Sequence, residues 1–300
     1  MTNNRGSIKN ERSATAVDGG GATASQALPP TLADGESHFA THGADRIHYL
    51  TLGQGNRTLV FIHGWSCNLG FWREQVAALA DKARLIFIDL PGHGRSDKPQ
   101  TAYTIDFFAG AVLAVLREAK VDKAAFIGHS MGEAVICRVC KQAPEKVAAL
   151  VSVDGLLRRP QGAPGQAEAM LAQLHSPHYR EFARGFVGNF FPVPGTEALR
   201  DEITAEVLLT PQNVMASAME WILNANQPDW DLKQVAVPVL VLNAKGSLWV
   251  ADYEKYVRSL SSQTEYRLFD NVGHWLMLEQ PAAFNAALTE MLQKYDLMAE

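Results

Sequence analysis

The sequence predicts an α/β fold: a mostly parallel sheet with helices on both faces and a helical insertion near its ligand-binding edge. Two observations lead there. Short runs of Val, Ile and Leu alternate with longer segments of helical periodicity, the pattern of strands covered on both sides by crossover helices. Between Gly155 and Gln234 the alternation stops and only helical patterns remain, which marks an insertion rather than more sheet.

Seven strands follow from the apolar runs: "IHYLTL" from Ile47, "TLVFIH" from Thr58, "RLIFID" from Arg84, "AAFIGH" from Ala124, "AALVSVD" from Ala148, "VPVLVLN" from Val237 and "EYRLFD" from Glu265. Each is short, rich in branched residues and bounded by turn formers. Helices are expected at "FWREQVAALADK" from Phe71, "TIDFFAGAVLAVLREAK" from Thr104, "MGEAVICRVCKQA" from Met131 and "PAAFNAALTEMLQKY" from Pro281. Residues 1–37 are rich in Gly, Ala, Ser, Thr and Asn without periodicity, so they read as an extension lacking fixed structure. The expected organisation is a core of residues 38–154 and 235–300, with residues 155–234 as a helical cap over the C-terminal edge of the strands, where open α/β sheets bind ligands.

The chain has 300 residues, 47% hydrophobic and 20% charged, with net charge −5. That mild acidity argues against a nucleic-acid or anionic-membrane partner. No apolar run approaches the ~18 residues of a spanning helix and no signal-peptide core is visible. The expectation is a cytoplasmic protein, or an exported form whose leader has been removed, acting as a monomer or weak homodimer. Cys137 and Cys140 form a C-x-x-C that reads as a redox or metal pair or, without a second such pair, as small packing residues. His175 and His178 lack further metal ligands and read as ordinary polar residues.

Gly128-His129-Ser130-Met131-Gly132 fits G-x-S-x-G between a strand and a helix. In that context the glycines permit a tight turn that projects a serine hydroxyl from the top of the sheet. A serine needs a base to become a nucleophile. His274, in "DNVGHWLMLEQP" just past the last strand, is the expected base, and the order serine, acid, histidine suits the architecture. The N–H groups of Met131 and Trp65 are the expected oxyanion donors, with Gly64 letting the backbone approach the substrate. His129 and His63 read as groups that shape their turns.

The segments "FIHGW", "DLPGHGRSDKP", "GHSMGE" and "VGHWLMLEQP" resemble the four markers of the α/β-hydrolase superfamily. They are similar to its cap-bearing branch of esterases, lactonases, C–C hydrolases, epoxide hydrolases and haloalkane dehalogenases. The resemblance covers roughly residues 38–295. It implies a cap between strands six and seven, and a Ser-His-acid triad without cofactor. Because epoxide hydrolases and dehalogenases of this branch use an Asp nucleophile, Ser130 argues against both.

Two departures follow. Glu133 stands where many relatives carry Gly, and reads as a helix-start residue favoured by the helix dipole or as a pocket residue. In most relatives the triad acid follows strand seven, but here that position falls on Ser247. Asp154, at the end of "AALVSVD", is therefore the expected acid. Asp252 is the second choice, reading otherwise as an N-cap. Asp270, a brace of the histidine loop, is a remoter possibility, as is no acid at all.

His129, Trp249, Trp275, Phe190 and Trp221 complete the expected pocket. An apolar, aromatic lining suits a small uncharged ester or lactone. The rivals are hydrolysis of carbon–carbon bonds in vinylogous diketones and a low-turnover ligand receptor on the same fold.

Overall fold

The computed structural model describes residues 29–155, 157–158, 165–223, 231–245 and 251–299. Eight strands form one sheet: β1 (Glu36–His42), β2 (Asp45–Leu52), β3 (Thr58–Ile62), β4 (Arg84–Ile88), β5 (Ala124–His129), β6 (Val147–Val153), β7 (Val239–Ala244) and β8 (Thr264–Phe269). Their order is β1-β2-β4-β3-β5-β6-β7-β8. The pairs β1–β2 and β2–β4 are antiparallel; from β4 to β8 every pair is parallel.

In β3, Leu59, Val60, Phe61 and Ile62 are all 0% exposed. Four successive buried side chains must alternate between faces, so both faces are covered. Each contributes roughly 1.5–3 kcal/mol of burial. Two helix groups supply the cover. One joins α2 (Ile105–Glu118) to α3 (Met131–Gln142); the other joins α1 (Val76–Leu79) to α9 (Leu276–Glu279) and α10 (Pro281–Lys294). The α2 start is set by Thr104, whose hydroxyl accepts the Phe107 N–H at 2.8 Å, an N-cap bond. Pro281 opens α10, where its missing N–H costs nothing.

Between β6 and β7 lie four helices among the described residues: α4 (Gln166–His175), α5 (Tyr179–Gly188), α6 (Glu197–Val207) and α7 (Gln212–Leu223). They pack on one another, α4 on α5 and α7, and α5 on α6. The last helix before β8 is α8 (Ala251–Leu260).

Two expectations change. Residues 1–28 lie outside the described residues, but the supposed extension to residue 37 is already ordered at its end, by a 3-10 turn at Leu32–Asp34 and by β1. As an edge strand with only Ala40 buried, β1 has no apolar rhythm to betray it. The Phe71 helix is a 3-10 turn, Leu69–Gln75, before the short α1. Asn68 tightens that turn by accepting the Gly70 N–H at 2.8 Å. Trp72, in this turn, is fully buried against Phe61 of the sheet.

Candidate active site

The turn that carries Ser130, the expected nucleophile, is forced by crowding. A Cβ on Gly128 would lie 2.7 Å from the Gly132 carbonyl, and one on Gly132 would lie 2.5 Å from the Ile62 oxygen. Only glycine lets α3 pack so closely on β5 and β3. Between them Ser130 adopts φ 53°, ψ −117°, a strained conformation for a side-chain-bearing residue. Its N–H is tied to the Val153 carbonyl at the end of β6, 3.1 Å away.

Parallel register carries that edge to the next group. His129 pairs with Val153 and Val153 with Leu242, so β5, β6 and β7 end level. Asp154 follows β6 at φ 42° and is fully buried. Its Oδ1 accepts the Ala244 N–H at 2.7 Å, and its Oδ2 accepts Nδ1–H of His274 at 2.7 Å. That bond fixes the imidazole tautomer and leaves Nε2 as the basic nitrogen. His274 is held from three further sides. The Phe190 ring stacks on it at 4.5 Å, the Phe190 carbonyl accepts its N–H at 3.2 Å, and Nε2–H of His129 donates to its carbonyl at 3.0 Å.

The other candidate acids are elsewhere. Asp252 lies inside the first turn of α8, not at its cap, and is exposed. Asp270 is exposed and ion-paired at 3.1 Å with Lys245, so the residue that begins the unusual strand-seven loop braces the histidine loop. Ser247 and Trp249 lie outside the described residues.

The turn after β3 is braced by His63. Its Nδ1–H donates to the Gly64 carbonyl at 2.8 Å, and its Nε2 accepts the Leu90 N–H at 3.0 Å. The Cys67 N–H also reaches the Gly64 carbonyl, at 3.2 Å. In a trans peptide the carbonyl and the following N–H point in opposite directions, so anchoring Gly64 C=O aims Trp65 N–H the other way. A Cβ on Gly64 would meet Ser130 Cβ at 3.1 Å and His129 Nδ1 at 2.9 Å.

These groups share one cavity of about 390 Å³ lined by Ser130, His274, Met131, Trp65, His129 and Trp275 together with Phe190 and apolar residues of α4, α5 and α7. Among its described lining residues there is no Lys, Arg, Asp or Glu.

A family model for the alpha/beta hydrolase fold matches residues 57–234. The chain belongs to the α/β-hydrolase family. This hydrolase is 30% identical over 249 residues to the pimeloyl-[acyl-carrier protein] methyl ester esterase of Klebsiella pneumoniae, covering 79% of this chain and 94% of that one. It is 36% identical over 119 residues to the dihydrolipoyllysine-residue acetyltransferase component of an acetoin cleaving system from Cupriavidus necator. That match covers 39% of this chain and 32% of the relative, so the hydrolase spans only about a third of that protein's length. Among solved structures, Est816, described as an N-acyl homoserine lactone degrading enzyme, superposes with a TM-score of 0.70 at 28% identity, covering 84% of this chain and 99% of that one.

Not every expected pocket residue of the hydrolase lines the cavity. Gly64 stands behind the nucleophile, and Trp221 is off the lining face of α7. Met219, Ile222 and Leu223 line it instead; their i, i+3, i+4 spacing was the overlooked signal, since it defines one helix face. Cys67 also lines the cavity, but burial pushes its thiol up to about 12, which leaves it unreactive. Cys137 and Cys140 are free and buried. His175 and His178 are exposed and bonded to Glu220 and Glu181. No group of three or more His, Cys, Asp or Glu side chains is placed to hold a metal ion among the described residues, and none of their helices is long and apolar enough to cross a membrane. Glu133 lies in the first turn of α3 as a helix-start residue, but it is 0% exposed and is not among the residues lining the cavity.

Proposed function

We propose that this α/β hydrolase cleaves a carboxylic ester or lactone of a small, largely apolar or aromatic substrate through an acyl-enzyme on Ser130. The observation that carries the reading is the shared cavity: Ser130, on its strained turn, opens into the same apolar space as His274, whose Nδ1 is bound to the buried Asp154.

In this mechanism His274 Nε2 takes the Ser130 proton as Oγ attacks the carbonyl carbon. The oxyanion is held by the N–H groups of Trp65 and Met131, each such donor being worth about 10²–10³ in rate. The imidazolium, stabilised by Asp154, returns its proton to the departing alkoxide as the C–O bond breaks. A water molecule then repeats the attack and frees the acid. The helices α4–α7 act as a cap, and the lining favours a neutral acyl group, because a substrate carboxylate buried there would meet no cation among the described lining residues. Ser130 in place of a nucleophilic Asp disfavours epoxide opening.

The test is covalent labelling with a fluorophosphonate, alongside hydrolysis of aryl esters of increasing acyl length. Wild type should label and turn over esters, and Ser130→Ala should do neither. Labelling without ester turnover, together with cleavage of a dienoate diketone, would favour the carbon–carbon hydrolase. An unlabelled Ser130 would sink the reading in favour of a ligand receptor.

A further inference from the structure

Beneath the acid turn lies a set of buried polar groups that the ester mechanism does not use. At its centre is Glu133, in the first turn of α3, three residues past Ser130 and fully buried. Neither of its carboxyl oxygens makes a hydrogen bond of proper length and angle. The carboxyl group lies against the peptide that follows Asp154: a Cβ on Gly155 would fall 2.5 Å from Oε1 and 3.0 Å from Oε2. The Glu133 carboxyl group thus occupies the space that a side chain at position 155 would enter.

Several of the elements around Glu133 contribute a polar or titratable neighbour. From β6 and its end come Ser152 and Asp154, from α8 Tyr253, from β8 Tyr266, and from its own helix Cys137. Asn243 of β7 reaches the Gly155 carbonyl at 3.5 Å through Nδ2. Among the described residues, none of the groups acting on Glu133 is a cation. An apolar side chain would fill such a place without desolvating a carboxyl, so packing alone does not account for a glutamate here.

We propose that Glu133 is a positioning residue: its carboxyl group braces the Asp154–Gly155 turn against the nucleophile helix, so that the acid after β6 and the serine after β5 are held as one unit. It does so uncharged. Burial, reinforced by the neighbouring Asp154 carboxylate, pushes the Glu133 carboxyl well above its ordinary range against weaker help from Ser152 and the Val153 peptide. A second negative charge beside Asp154 would compete for the imidazolium that Asp154 stabilises. The inference rests on the triad reading of Ser130, His274 and Asp154.

Three variants of the full chain test it: Glu133→Gln, Glu133→Asp and Glu133→Ala, each checked for wild-type near-ultraviolet circular dichroism. Glu133→Gln keeps shape and neutrality and should stay within about threefold of wild type in kcat on an aryl ester. Glu133→Ala and the shorter Glu133→Asp should lose about tenfold or more in kcat, with KM within about twofold, as expected when reacting groups drift from register. The rate of fluorophosphonate labelling should follow kcat. In infrared difference spectra at neutral pH, the C=O stretch of a protonated carboxylic acid should be present in wild type and missing in Glu133→Gln. Full kcat and labelling in folded Glu133→Ala would overturn the brace, and so would a Glu133→Gln as impaired as the alanine variant. An unchanged infrared band on Glu133→Gln would overturn the uncharged state. If the alanine variant does not fold, the other two variants and the infrared band decide. The infrared result stands even if no ester is turned over, which separates this proposal from the functional one.

Discussion

Asp154 owes its position to its backbone as much as to its side chain. The left-handed turn at φ 42° leaves Oδ1 on the Ala244 N–H and Oδ2 on His274. Asparagine fits the same space, but its amide reverses the donor at the imidazole and imposes the wrong tautomer. Asp154→Asn should therefore lose about 10⁴ in kcat, measured on any ester that wild type cleaves, while Asp252→Asn should match wild type. The opposite pair of results would move the acid to α8. Ser130 and His274, the proposed nucleophile and base, could be picked out in the sequence because their signals are local, a glycine-flanked turn after a strand in one case and a Gly-His after the last strand in the other. The acid could be read only as a choice between positions, because its partner comes from a strand over a hundred residues away and only the level ends of β5, β6 and β7 bring them together. Phe190 was legible as an aromatic of the insertion, yet its stacking on the base depends on tertiary packing that no spacing announces.

Central strands were readable because burial on both faces demands unbroken apolar runs; β1 was not, because an edge strand buries one residue and looks like loop. Helix starts obey a similar logic. The α2 start is written as a cap, and Thr104→Ala should destabilise the fold by about 1 kcal/mol, seen as a lower urea midpoint with unchanged slope and unchanged kcat. No loss of midpoint would mean that packing of the apolar α2 face against α3 and β1 outweighs the cap altogether. The 3-10 turn at Leu69–Gln75 escaped prediction for a related reason: its helical pattern is genuine, but Asn68 and the Asp89 carboxylate, which accepts the Leu69 N–H at 2.9 Å, wind it tighter than the pattern alone would.

The molecule as a whole is poised against acid. His63, His93 and His129 are buried as neutral rings, held below the ordinary histidine value of 6.5 chiefly by burial, with neighbouring histidines adding to it at His93 and His129. For His93 the value falls to about 3. In the unfolded chain all three regain ordinary basicity, so below about pH 6.5 the unfolded state binds protons that the folded state refuses. Stability should then decline as pH falls from that point, by up to about 1.4 kcal/mol per pH unit for each ring. Asp89 adds a second loss further down. Burial alone would raise its carboxyl, but bonds from His48 and the Arg95 and Leu69 N–H groups hold it below the usual range. Its contribution disappears only as pH falls through that lowered value. Urea midpoints measured from neutral pH downward should bend near pH 6.5; a flat profile to pH 5 would show that these rings take up protons in place.

Among the bonds that join the insertion to the edge of the proposed site are two to main-chain carbonyls: Trp65 Nε1–H to the Met215 carbonyl at 2.9 Å, and His274 N–H to the Phe190 carbonyl at 3.2 Å. One fastens the turn after β3 and the other the His274 loop, both through main-chain carbonyls of the insertion. This bears on engineering. Grafting a foreign insertion between β6 and β7 would replace more than the walls of the pocket. It would also withdraw the fastenings of two catalytic loops, and a chimera would need carbonyls at both places before any change in substrate preference could be read as a property of the new walls.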